Sequence, residues 1–122
     1  MHLLSFDTST SDLHLCLTDC GQVVAQRIIK SNLENRQVRQ YAASYLIPSI
    51  QELLTTAGWC KSTLTALVVG IGPGSFTGVR TAVVTARTIA QALQLPLVGI
   101  SIFESYVFCH GSSTGVILGA GK

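Results

Sequence analysis

Charged residues are scarce. Asp, Glu, Lys and Arg fill only 11% of the 122 positions, against about a quarter in an ordinary soluble domain. Hydrophobic residues make up 48%. A small domain this poor in charge is expected to cover part of its surface with a partner, because a large exposed apolar area marks an interface. The net charge is +2 and no block of Lys and Arg exists, which argues against a nucleic-acid footprint. The densest pair, Arg36 and Arg39, reads as a solvated helix face. No run of 18 apolar residues is present, so no membrane-spanning helix is expected. The start, MHLLSFDTSTSD, lacks a basic segment before its short apolar run. A secretory signal is therefore not expected, and the cytoplasm is the expected compartment. Cys16, Cys20, Cys60 and Cys109 show no C-x-x-C spacing and read as reduced thiols, not as a zinc site with His14 or His110. His2, His14 and His110 are isolated, so a metalloprotease histidine pair is missing. Asp7 has five other acids for company, and Glu34, Glu52 and Glu104 fall on or beside helices. The carboxylate cluster of a two-metal nuclease is not there, and no metal site is expected.

What is there follows two clear periods. Leu3 to Phe6 is a short apolar run ending at Asp7, and TSTSD then breaks it with turn-forming hydroxyls. Leu13, Leu15 and Leu17 alternate with polar or small neighbours at period 2. TDCGQ is a hairpin turn, and residues 23–29 form a third strand. Short links predict an antiparallel meander. From Val38 the period changes to three and four, through Tyr41, Tyr45, Leu46, Ile50, Leu53 and Leu54, giving one long helix over about residues 35–57. Pro48 inside it predicts a kink, and Gly58 predicts its end. A strand over 64–69, a helix over 75–93 and a strand over 95–100 follow. Ser101 and Glu104 make a capping box for a short helix over 102–109. STGVILGAGK reads as one more strand, and a strand as last element suggests a truncated chain. Residues 1–109 are thus expected to be one lobe and 110–122 the start of a second. The order predicts a mixed sheet with helices on its faces.

GIGPGSFTGVR, from Gly70 to Arg80, sits at a strand-to-helix turn where a phosphate could bind. A P-loop needs G-x-x-x-x-G-K-[ST], but Gly72 and Gly78 have five residues between them and Val79 stands where lysine belongs. The dinucleotide fingerprint fails too, with Ser75 or Thr77 at the third glycine position. A helix N-terminus still offers a weak anion site, which Asp7, Thr8, Ser9, Thr10 and Ser75 would make. The following helix has small residues at every fourth position: Gly74, Gly78, Ala82, Ala86 and Ala90. Such an edge admits another backbone closely. Arg80 and Arg87 are its only charges. The low charge on both long helices favours a helix-to-helix subunit contact over a helix that covers only its own sheet.

FDTST, GPGSFTGVR and LPLVGIS, in this order and spacing over about residues 3–105, resemble the TsaB (YeaZ) family. VVTARTIAQAL is further similar to its cyanobacterial branch. The resemblance implies an α/β ribonuclease-H-like lobe of the actin-like ATPase (ASKHA) fold. It implies a non-catalytic subunit in bacterial tRNA threonylcarbamoyladenosine biosynthesis. Its partners would be a TsaD-like catalytic subunit and a TsaE-like ATPase, with a homodimer in isolation. The modified adenosine lies beside the anticodon of tRNAs reading codons that begin with A. The expected partner surface comprises Tyr41 and Tyr45 on the first long helix. On the second it comprises Gly74, Phe76, Gly78, Arg80, Thr81, Ala82, Thr85 and Ala86. No cofactor is expected for the chain itself, with ATP and magnesium entering only in the complex. The chain departs from the family at Asn35-Arg36-Gln37, where a His-Ser pair is common, and it stops soon after the first lobe. Two other readings stay open: a nucleotide-binding ATPase lobe and an inactive glycoprotease-like protein. Actin-like phosphate loops normally contain a glycine, and none occurs between Asp7 and Asp12. Asp7 then reads as a turn residue.

Overall fold

The structure, a computed structural model, describes residues 1–9, 12–29, 42–74 and 76–101. Tyr41, Thr10 and Ser75, the segment 35–41 of the first helix, the capping box with its helix over 102–109, and the expected second lobe lie outside the described residues.

Among the described residues, five strands form one mixed sheet in the order β3-β2-β1-β4-β5. They are β1 (His2–Asp7), β2 (Leu13–Asp19), β3 (Gln22–Ile29), β4 (Ala66–Gly70) and β5 (Leu97–Ile100). The first three make the antiparallel meander, and β4 and β5 add in parallel to β1. Leu4 pairs with Leu17 on one side and Leu67 on the other, and Phe6 pairs with Leu15 and Val69. All six are buried and share one sheet face, as period-2 patterning requires. β4 starts two residues later than the apolar run suggests. Lys61–Thr63 forms a 3-10 turn, and Leu64 is buried as an anchor before the strand begins.

Among the described residues, two helices cover that face: α1 (Ala42–Ala57) and α2 (Phe76–Leu93). α1 buries Leu46, Ile50, Leu53 and Leu54 against the sheet. Each such side chain contributes about 1.5–3 kcal/mol, whereas the exposed Arg27–Glu52 ion pair between β3 and α1 adds about 1 kcal/mol at most. Apolar packing therefore sets where α1 lies. The helix is continuous through Pro48. It ends where Gly58 takes φ +71° and the Trp59 amide donates to the Leu54 carbonyl at 2.9 Å. α2 ends likewise, with Gln94 at φ 54° and the Leu95 amide donating to the Ala90 carbonyl at 2.9 Å. Both described helices lie on the same face, because both are in the one core cluster and touch each other.

Three thiols are described, and all are free. Cys16 is half-buried, and burial raises its thiol above the ordinary range, with a smaller opposing effect from Ser5. Cys20 and Cys60 are exposed. Native alkylation followed by mass spectrometry should label Cys20 and Cys60 well before Cys16. Equal rates would show that the sheet gives Cys16 no more shelter than the turn residues have.

Candidate functional site: the glycine turn and the outer face of the second helix

The glycine turn leaves β4 and enters α2. Gly72 has φ +86°, a conformation that side chains rarely adopt, and the Gly72–Pro73 peptide is cis. Its close neighbour is the loop after β1. A Cβ on Gly74 would fall on the Ser9 carbonyl oxygen and within 2.9 Å of the Ser9 Cβ. A Cβ on Gly70 would meet the Asp7 Cγ at 2.5 Å. Gly74 thus admits the Ser9 backbone of the same chain, and Gly70 makes room for the Asp7 side chain.

The loop after β1 is tied down from within. Asp7 Oδ1 accepts the Ser9 amide at 2.6 Å, the turn role read from the sequence. The Thr8 hydroxyl donates to the Gly78 carbonyl oxygen at the start of α2. Thr8 is 5% exposed and Ser9 2%. The Ser9 Oγ has no hydrogen-bond partner among the described residues. Asp7, Thr8 and Ser9 thus fasten the β1 loop to the glycine turn.

The partner surface expected from the sequence divides in two. Ala82 and Ala86 are 0% exposed and Ala90 is 8%. Burial this complete takes Ala82 and Ala86 off the expected partner surface. The small edge faces the chain's own core, because a helix carrying only methyl groups can settle close on β4 and β1. Gly74 and Gly78 also serve this internal fit, through Ser9 and Thr8. Thr81 and Thr85 are half-buried at the margin.

The opposite stripe of α2 faces outward. Phe76 is 79% exposed, Val84 is 55% exposed, and Arg80 and Arg87 are exposed between and beside them. On α1, Tyr45 is 51% exposed, with Ile47 exposed nearby. Trp59, just past the end of α1, stacks on His2 at the start of β1. α1 therefore ends where β1 starts, and its beginning lies at the other end, where α2 also begins. Tyr45 and Phe76 share that end of the sheet. Val84 was missed as a surface residue because a β-branched apolar residue in a helix reads as core. Its spacing of four from Arg80 and eight from Phe76 was the available signal.

Fold and site together define one ribonuclease-H-like lobe of the actin-like type, with an internally fastened loop where such lobes carry phosphate contacts. The family model described as TsaD: tRNA N6-adenosine threonylcarbamoyltransferase matches residues 22–117. The Escherichia coli protein named tRNA threonylcarbamoyladenosine biosynthesis protein TsaB is 33% identical over 83% of this chain and 40% of its own length. The tRNA N6-adenosine threonylcarbamoyltransferase of Latilactobacillus sakei is 27% identical over 87% of this chain and 33% of its own. The structure titled YeaZ from Pseudomonas aeruginosa superposes with a TM-score of 0.67 at 33% identity, over 82% of this chain and 42% of that one. The chain belongs to the TsaD family, in its TsaB (YeaZ) branch. It spans about two-fifths of the length of the curated TsaB relatives it matches. No helix among the described residues is long and apolar enough to cross a membrane.

Proposed function

We propose that the chain is a non-catalytic scaffold subunit in tRNA N6-threonylcarbamoyladenosine biosynthesis. It binds a TsaD-like catalytic subunit through the outward face of α2 and the adjoining end of α1. A TsaE-like ATPase joins the assembled pair, and in isolation the same face pairs two copies of the chain. The chain contributes no nucleotide chemistry of its own, and ATP with magnesium belongs to the complex.

One observation carries this reading. Phe76 is 79% exposed at the start of a helix whose only charges are two arginines. An apolar anchor with arginine beside it is the composition of an interface hot spot. The engaged Asp7–Ser9 loop supports the non-catalytic part, since the Thr8 hydroxyl is already committed within the chain.

The test is co-expression with a tagged TsaD-type subunit from the same source, followed by affinity purification and sedimentation. The expected result is a stoichiometric complex, with a dimer when the chain is alone. A strictly monomeric chain that does not co-purify would end the proposal. Calorimetry with ATP and magnesium separates the ATPase reading, which requires binding to the chain alone.

A further inference from the structure

The outward face of α2 holds charge of one sign. Arg80 and Arg87 are the only charged residues of the helix, and both are exposed. Neither has an ion-pair partner among the described residues. α1 carries one charge, Glu52, which is taken by Arg27 of β3. α1 lies over β2 and β3, and α2 over β1, β4 and β5. β3 is the edge strand beyond β2, so Glu52 sits on the flank of α1 turned away from α2. The stripe that exposes Phe76 and Val84 therefore has two arginines, and neither described helix offers an acid to neutralise them.

This arrangement discriminates between two occupants. A second copy of the chain brings the same two arginines. In an antiparallel two-fold contact centred on Val84, Arg80 lies four residues before the centre and Arg87 three after it. Arg80 of one copy then stands level with Arg87 of the other to within one residue, a rise of about 1.5 Å. A parallel contact sets Arg80 beside Arg80. Either way like charges meet at a surface that is losing its water, which opposes association. A partner of different sequence is free of this constraint. Carboxylates at two points about 10 Å apart, the rise of seven helical residues, would meet both guanidiniums. A guanidinium binds a carboxylate through two parallel hydrogen bonds, so each contact would fix orientation as well.

We infer that Arg80 and Arg87 select the occupant of this face: a TsaD-type subunit that presents an acidic patch beside an apolar pocket for Phe76, in preference to a second copy of the chain. The inference rests on the scaffold reading above and names what the partner must present. Specificity comes from a repulsive element against the wrong occupant as well as an attractive one for the right one. Self-pairing is then the weaker contact, made by the apolar residues against the repulsion of the arginines. Salt acts on the two contacts with opposite sign. It shortens the reach of a charge from about 10 Å at 0.1 M to about 3 Å at 1 M. Attraction to the acidic partner fades, and repulsion between copies is relieved.

The test measures both contacts from about 50 mM to about 500 mM sodium chloride. Sedimentation reads self-association, and calorimetric titration reads binding of a purified TsaD-type subunit from the same source. Added salt should tighten self-association and weaken the mixed complex by about tenfold. Arg80→Gln combined with Arg87→Gln should do the same at low salt. Lost packing alone would weaken both contacts, so the opposite signs belong to charge. Wild type mixed with the Arg80→Glu, Arg87→Glu variant should pair at least about tenfold more tightly than either does with itself. Both positions are exposed, so the variants keep the fold, which circular dichroism checks. A complex with the catalytic subunit that ignores both salt and the glutamine changes overturns this inference and leaves the scaffold reading standing. So does a mixed pair no tighter than the self-pairs. Two subunits that fail to bind at any salt end the scaffold reading itself, and this inference with it.

Discussion

Ala86→Leu is expected to lower the melting temperature by roughly 5–15 °C. Ala86 and Ala82 are 0% exposed on the side of α2 that meets the sheet. Adding three carbons there forces the helix off β4 and β1 or pushes Leu67 and Val69 from their rotamers, which costs about 1–3 kcal/mol. Gly74→Ala should act in the same direction, since its new methyl lands on Ser9 backbone that is itself pinned by Asp7. Ala92→Leu, on the exposed side of the same helix, is the control and should change stability by no more than about 0.5 kcal/mol. Thermal unfolding followed by circular dichroism decides the matter. If Ala86→Leu and Ala92→Leu melt together, the small edge does not face the core.

Phe76→Asp should do the opposite: leave the melting temperature unchanged or slightly higher, and weaken association by about 30-fold or more. A side chain that is 79% exposed loses almost no intrachain packing when replaced. An acid in the first turn of a helix also interacts favourably with the unpaired amides there. In a subunit contact the same change removes an apolar anchor and buries a charge. Sedimentation of the chain alone and titration with a TsaD-type subunit both read it. Unchanged affinity in Phe76→Asp and in Arg80→Glu would take this face out of the interface. Together with Ala86→Leu, these variants divide one helix into a face that holds the fold and a face that meets the partner.

Much of the architecture was legible before any coordinates. Leu13, Leu15 and Leu17 are all buried on one face of β2, as their alternation requires. Gly58 ends α1 with a positive φ, because no other residue type reaches that conformation so easily. Asp7 was legible as a turn residue, since a short carboxylate after a strand reaches the amide two residues on. The start of β4 was less so: Leu64 is apolar and buried like a strand residue, yet it is held by the turn that precedes the sheet.

The face of α2 shows where pattern stops deciding. Gly78, Ala82, Ala86 and Ala90 recur every four residues, and so do Phe76, Arg80 and Val84. Either stripe could face inward on spacing alone. Hydropathy favours Phe76 and Val84 as core, while small size favours the alanines as a contact surface for another chain. The sequence by itself determined that a glycine turn would open a helix with one bulk-free edge, and that no nucleotide fingerprint was present. Only the tertiary structure decided which way the edge points. The turn leaves the helix start against Ser9 and Thr8 of the first loop, and the sheet lies too near for anything larger than a methyl group. The large side chains are left outside, because the space that the core could give them is already filled by the leucines of β1, β2 and α1.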